Sequence, residues 1–393
     1  MPFDDAKVHH GSHRQLVQDV ESPPPTSGVD AIVVPTIRPP ATLLQAAGLA
    51  LELGSTLLTL HSRDMTSAAA AAEIVPDSVN LLAIDLVWPA QPRSRRYPAP
   101  SPLLPALETT RLTRVAPFAR NSDLSVKRNL ALIIGRMLGW SRVLFLDDDI
   151  TGVKPADVRQ ASGLLGPYKA VGLRLGRPMF DHSVVCEAFR RSGGFQESFV
   201  GGGALLVECD VAVCHSAFFP DIYNDDWFFL LDGEKGLLAT AATGHVSQEP
   251  YDPFSSPLRA VEQELGDVLA EGTYWLLDQD RSVRDADFRH WRSFLKRRRA
   301  FIERVVEMVG ASAELSQLDK ERMTASLRAS LDQLRSITPR FCARYLRAWM
   351  ADRERWHDHL EGLPTDLKPD GLADIDGSGH VRPTWRAAVP GGA

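Results

Sequence analysis

The sequence predicts an α/β fold: a Rossmann-like, mostly parallel sheet flanked by helices, with a helical region appended behind it. Three observations carry this. Short β-branched runs alternate with helix-like segments between Val29 and Leu86. An uninterrupted apolar run, Val143 to Leu146, stops abruptly at Asp147-Asp148-Asp149. From residue 259 onward apolar residues recur every three or four positions, the period of amphipathic helices. Alternating strands and helices build parallel sheets with ligands at the strands' carboxyl ends.

In chain order, residues 1–28 end in SPPPTSG without hydrophobic periodicity and read as a tail, mobile or packing adaptively on a later element. AIVVP (31–35), STLLTLHS (55–62) and VNLLAIDL (79–86) read as strands, joined by an Ala/Leu helix over 39–53 and an Ala-rich crossover at 67–73. Residues 88–120 break the rhythm, rich in proline and arginine with Glu108 the single acid; this is a long loop or small insertion, near an anionic ligand or simply solvated. Ser122 or Asp123 then caps a helix whose Leu130, Ile133, Ile134, Met137 and Leu138 share a face, and Gly139 ends it. Arg142 leads into VLFL, a buried-strand pattern. A middle region carries Gly201-Gly202-Gly203, ALLVECDVAV and FFPDIYNDDWFFLLD. The spacing of Phe288, Trp291, Leu295, Ile302, Val305 and Val309 predicts helix, as does that of Leu315, Leu318, Leu327, Leu331 and Leu334. The expected organisation is a tail (1–28), a catalytic domain (29–258), a helical subdomain (259–360) and an irregular Pro/Gly/Asp-rich tail (361–393).

Composition narrows the function. The 393 residues carry 44 Lys plus Arg against 50 Asp plus Glu, a net charge of −6, with 44% hydrophobic residues. That is the balance of a soluble globular protein; it excludes disorder throughout and disfavours a nucleic-acid coat. Cys186, Cys209, Cys214 and Cys342 lie scattered without CxxC pairs, so no disulfide framework or structural zinc is expected and a reducing, cytoplasmic setting is the default. The acidic, His-rich start does not read as a signal peptide. The longest apolar stretch, 41–60, is interrupted by Gln45, Gly48, Glu52 and Gly54, which predicts helix then strand and no membrane span.

Three adjacent carboxylates at a buried strand's mouth repel one another unless a cation or hydrogen-bond donors compensate. Mg²⁺ or Mn²⁺ fits, since such ions take oxygen ligands and use one or two carboxylates beside a bound diphosphate. Alternation along an extended end points Asp147 and Asp149 to one pocket and Asp148 aside. A solvated acidic turn is the plain alternative. Lys127 and Arg128 sit on the first turns of the preceding helix, where cations do not complement the helix dipole; an anionic partner or simple solvation would account for them.

These pieces resemble the GT-A glycosyltransferases, family 2-like enzymes that use a nucleotide-sugar donor and a DxD-type metal motif. The resemblance spans roughly residues 29–250. It implies that Thr36 and Arg38 in PTIRPP, and Asp64 in SRDMTSA, contact the nucleotide. From SVKRNLAL and VLFLDDD it implies Lys127 and Arg128 near the diphosphate, Asp147 beside the ribose or sugar, Asp148 among the residues around the donor, and Asp149 on Mn²⁺ or Mg²⁺. From the glycine strand and NDDW it implies Gly202 and Gly203 on the acceptor side, Asp226 as general base in an inverting reaction, Asp225 in the preceding acidic position, and Trp227 walling the acceptor pocket. Helix capping by Asn224 and Asp225 is the bland alternative. His245 would be a further metal ligand or an ordinary hydrogen-bonded histidine. The implied partners are a UDP- or GDP-type sugar donor and a sugar, lipid or small-molecule acceptor, with no nucleic acid.

PTIR with DDD is also similar to UDP-arabinopyranose mutases, which rearrange the donor on the same core. FLDDDIT satisfies the haloacid-dehalogenase phosphatase pattern as well, with Asp147 as nucleophile. That motif normally ends its fold's first strand, whereas here three strand-like runs precede it. A third reading is a binding scaffold on a dead transferase fold, its basic run 281–300 touching an acidic partner or anionic surface; a solvated helix face is the simpler account of that run. The apolar stripe of the helical region packs on the catalytic domain or on a second copy, giving a homo-oligomer.

Overall fold

The computed structural model describes residues 13–21, 27–87, 103–176, 183–195, 200–209, 217–233, 236–374 and 381–389. The segment 88–102 of the proline-rich loop, Cys214 and the outer parts of both termini lie outside these residues. The elements are β1 (Gln18–Asp19), β2 (Ala31–Thr36), α1 (Leu44–Leu53), β3 (Thr56–His61), α2 (Ala68–Ile74), β4 (Leu81–Leu86), α3 (Glu108–Thr113), α4 (Leu124–Met137), β5 (Arg142–Leu146), β6 (Ile150–Thr151), α5 (Pro155–Leu164), β7 (Ala170–Leu175), α6 (Val184–Arg191), β8 (Ala204–Glu208), α7 (Asp225–Phe229), β9 (Thr240–Gln248), α8 (Pro257–Leu277), α9 (Phe288–Ala311), α10 (Gln317–Leu334), α11 (Pro339–Glu361) and β10 (Val381–Arg386).

The strands form one sheet in the order β1-β9-β7-β8-β5-β2-β3-β4-β10, with β6 pairing to β9 off that path. Pairing is parallel through β5-β2-β3-β4 and β7-β9-β1; β8 runs antiparallel between β5 and β7, and β10 antiparallel on β4. The fold is therefore a mixed α/β, mostly parallel sheet with a C-terminal helical region. Every residue of β2 is buried, as expected of a central strand covered on both faces. Pro35, which has no N–H to donate, falls beyond Ala31–Val33, where pairing with β5 ends.

One sheet face carries Ile32, Val34, Leu57, Leu144 and Val171 under α1, α2 and α5. The other face joins Val33, Phe145 and Leu205 to α4, α7 and the large rings Trp291 and Trp349 of the helical region in one apolar cluster. The helical region thus shares its core with the sheet. No helix among the described residues is long and apolar enough to cross a membrane.

Both segments expected to be tails carry order, the N-terminal one by the packing alternative. Residues 13–21 pack on the domain: Gln18 and Asp19 pair with β9, and His13 is buried against Asp278 and the rings of Trp227 and Tyr274. In the C-terminal tail β10 covers the β4 edge; its Pro383 is tolerable because an edge strand has one unpaired side.

Candidate active site

The Asp147–Asp149 turn is pinned from two sides. Asp147 N donates to Gly203 O at 2.9 Å and Glu249 N donates to Asp149 O at 2.8 Å, so β8 and the end of β9 fix the carboxyl tip of β5. The three side chains then part company. Arg128 Nη2 reaches both oxygens of Asp147, at 3.0 and 3.1 Å. Thr36 Oγ1 donates to Asp148 Oδ2 at 2.5 Å, and Arg38 Nη1 donates to the Asp148 carbonyl at 3.1 Å while its Nη2 holds Glu249. Gln248 Nε2 donates to Asp149 Oδ2 at 2.9 Å, leaving Asp149 Oδ1 buried with no hydrogen-bond partner. The mutual repulsion expected of the triplet is therefore largely compensated by the protein's own donors, and repulsion alone does not require an ion.

Arg128 is the centre of the charge balance. Its Nη1 donates to Asp225 Oδ1 at 2.8 Å, so one guanidinium ties the β5 tip to the start of α7. Burial works against its charge, but Asp147, Asp225 and Asp226 outweigh burial and hold it above the ordinary arginine range. Burial pushes Asp147 up to about 6 despite Arg128. It also lifts Asp225 and Asp226, again opposed by Arg128.

Asp226 stands over the glycine strand. Gly202 N donates to its Oδ2 at 2.5 Å and Trp227 N to its Oδ1 at 2.9 Å. A Cβ on Gly202 would lie 2.8 Å from Asp226 Cβ and 2.9 Å from Arg128 Nη1, so glycine here permits a close approach no other residue allows. Gly203 leaves Cβ positions at 3.2 Å from Ile150 and 3.4 Å from Asp147 Oδ2. Asn224 does not cap α7 with its side chain, and Asp225 is spent on Arg128, Ser125 and the Asp226 amide, so capping alone does not explain the pair.

These groups surround a cavity of about 570 Å³, inside the range of small-molecule sites. Arg38, Arg128, Asp147, Asp149, Gly202, Gly203, Asp225, Asp226 and Trp227 line it. Among the sequence candidates, Thr36, Asp64, Lys127, Asp148 and His245 are not in its wall. Lys127 is turned inward, its Nζ donating to Thr36 O at 2.8 Å and standing 3.2 Å from Asp123, and burial lowers its pKa against Asp123's pull. Asp148 is the support behind Thr36 and Arg38, and Asp64 is exposed in the turn after β3. His245 falls out of phase: Val246 and Gln248 of β9 line the cavity, while the His245 amide donates to Asp157 at 3.3 Å. Trp227 is buried, its ring against Tyr274 at 4.9 Å, so it supports the wall more than it presents a face. Among the described residues no three His, Cys, Asp or Glu side chains converge as a ready ion cage.

Sequence reasoning missed Arg120, Tyr223, Gln248, Glu249, Tyr251 and Arg259, which also line the cavity. Gln248 was findable, since strand alternation from Val246 puts it on the same face. Arg120 and the Arg259–Tyr251 stack, 4.4 Å apart, have no local signature.

No family model matches the chain, and no curated protein sequence matches it. Among solved structures the chain is similar to the M. tuberculosis glucosyl-3-phosphoglycerate synthase, at 14% identity and a TM-score of 0.38, over 63% of this chain and 79% of that one. At that distance a shared outline carries no chemistry, and function has to be argued from the cavity's own side chains.

Proposed function

We propose that this chain is a GT-A-type glycosyltransferase. It moves a sugar from a nucleoside-diphosphate donor to an acceptor hydroxyl, with Asp226 as base and Mg²⁺ or Mn²⁺ at Asp149. The observation that carries the proposal is Asp149 Oδ1, a buried carboxylate oxygen without a partner in a residue of the cavity wall, while Asp149 Oδ2 and both oxygens of Asp147 are engaged. A hard cation suits an uncommitted carboxylate oxygen. When bound, such an ion supplies positive charge for the departing diphosphate.

The chain's own residues do the remaining work. Asp226 accepts the proton of the acceptor hydroxyl as that oxygen bonds to the anomeric carbon; the bond from this carbon to the diphosphate oxygen breaks, and configuration inverts. Burial raises the Asp226 pKa, bringing it closer to the working pH of a base. The Gly202 amide fixes which way its carboxylate stands. Arg128 keeps Asp147 and Asp225 compensated within hydrogen-bond reach, so Asp226 is the carboxylate left for proton transfer. The phosphatase alternative needs Asp147 as a free nucleophile, yet its charge is committed to the Arg128 guanidinium, whereas the Asp226 oxygens accept from uncharged backbone amides.

The test is a thermal-shift panel of UDP-, GDP- and TDP-sugars with and without Mn²⁺. Ligand at 100 times its Kd stabilises by about 2.7 kcal/mol, a rise of several degrees. The expected result is a rise for one donor that needs Mn²⁺ and disappears in Asp149→Asn. A metal-independent rise unaffected by Asp149→Asn would remove the ion from Asp149.

A further inference from the structure

Helix α8 touches the segment that carries Asp225 and Asp226 at three points. Gly266 lies against the Tyr223 carbonyl so closely that a Cβ would stand 2.0 Å from that oxygen. One residue on, Asp267 Oδ1 accepts from Asn224 Nδ2 at 3.0 Å. Two turns further, Tyr274 Oη donates to the Trp227 carbonyl at 2.8 Å. Asn224 itself sits at φ 61°, ψ 36°, a left-handed conformation that asparagine tolerates better than most residues. The turn that launches Asp225 and Asp226 is therefore held from α8.

Asp267 is itself clamped. Its Oδ2 accepts from Arg298 Nη2 at 2.9 Å, and Arg298 also holds both oxygens of Glu264 at 3.0 Å and lies 3.8 Å from Glu271. Arg298, Glu264, Asp267 and Glu271 are all at most 1% exposed. Sealing a guanidinium and three carboxylates away from water costs more desolvation than an apolar set of equal volume, so packing alone gives no reason for them. A rigid acceptor for the Asn224 amide does.

We propose that Asp267, locked by Arg298, is a positioning residue for Asp226: it sets the Asn224 turn and thereby the place of the base over Gly202. This rests on the transferase reading for the identity of the base, but the mechanical link can be read without it. Asn224 lies at the edge of the charge cluster; its replacement by alanine removes one side-chain bond but also strains the left-handed turn. Asn224→Gly removes the bond without that strain and should show the same loss; a fall in Asn224→Ala that Asn224→Gly does not share would assign it to the backbone and overturn the Asp267 link.

The experiment uses the full chain and compares wild type with Asn224→Ala, Asn224→Gly, Asp267→Asn and Asn224→Ala/Asp267→Asn. The readouts are kcat and donor KM for the donor found in the thermal panel, and amide hydrogen exchange over residues 224–228. In Asn224→Ala, kcat should fall 10- to 100-fold with donor KM within twofold of wild type, and exchange over 224–228 should quicken. Asp267→Asn has one oxygen for two donors, the Asn224 amide and Arg298 Nη2, so it should show a fall in kcat and a quickened exchange of the same kind, and the double variant should be no worse than the more impaired single variant. Wild-type kcat in Asn224→Ala overturns the positioning role whatever the exchange shows, and so does a fall carried entirely by donor KM. If wild type transfers no sugar from any donor, the transferase reading fails instead; quickened exchange in Asn224→Ala then supports the link and unchanged exchange overturns it.

Discussion

Arg128 in α4 and Arg298 in α9 are built from the same ingredients and placed behind different walls. Each buried guanidinium holds more than one carboxylate: Arg128 joins Asp147 at the β5 tip to Asp225 in α7, and Arg298 ties α9 to Glu264 and Asp267 on one face of α8. The Asp147 side chain is 26% exposed and opens on the cavity, whereas the side chains of Glu264 and Asp267 are 0% and 2% exposed. The first cluster can be reached by solvent and by whatever enters the cavity; the second is sealed from both. Residue types therefore do not separate a cluster that opens on the cavity from one sealed behind it. Access does, and three ways of probing that difference follow.

The largest effect is expected at the open cluster. Asp226→Asn keeps the size, gives up one of the two backbone amide bonds and cannot take a proton, so kcat should drop about 10²–10⁴-fold while the thermal shift with donor persists. Turnover equal to wild type would remove the base. The next largest separates the arginines directly. Arg298→Met strands sealed carboxylates and should lower unfolding free energy by about 3–5 kcal/mol, as when one partner leaves a buried charge network. Arg128→Met should cost less in the same denaturant titration, because Asp147 can be reached by water. Equal losses would mean that both clusters are equally sealed.

The smallest concerns acid. His61, bonded to Thr59 and Thr66 in the sheet, and His290, bonded to the Gly272 carbonyl in the helical region, are each lowered by burial to about 4 from 6.5. Below their unfolded pKa the unfolded chain binds more protons than the folded one. Their contribution is complete above pH 6.5 and is lost as pH falls toward 4, by about 3 kcal/mol each in order of magnitude. Because one apolar cluster joins both regions, His61→Gln and His290→Gln should each flatten a single acid transition followed by circular dichroism. Two separated transitions would show that the regions unfold independently.

Much of the fold was legible because its signals are local. AIVVP, STLLTLHS and VNLLAIDL became the strands Ala31–Thr36, Thr56–His61 and Leu81–Leu86, and the three- to four-residue spacing beyond 259 became long helices. The site was legible where alternation at a strand end governs it: Asp147 and Asp149 face the cavity while Asp148 turns away. It was not legible where side-chain direction depends on a distant neighbour. Lys127 and Arg128 are adjacent, yet one supports the Thr36 carbonyl and the other reaches the cavity. Arg298 lies within a run that reads as a solvated face and instead points wholly inward. The order of Val381–Arg386 depended on an open β4 edge far back in the chain.

Periodicity and composition were enough to establish an α/β sheet, a helical C-terminal region and a carboxylate-tipped strand, since burial imprints its period on neighbouring residues. Which carboxylate keeps an uncommitted oxygen, which arginine is sealed and which helix steadies the Asn224 turn were settled only by folding. Those outcomes depend on contacts between residues 31 to 99 positions apart, and no local pattern records such pairings.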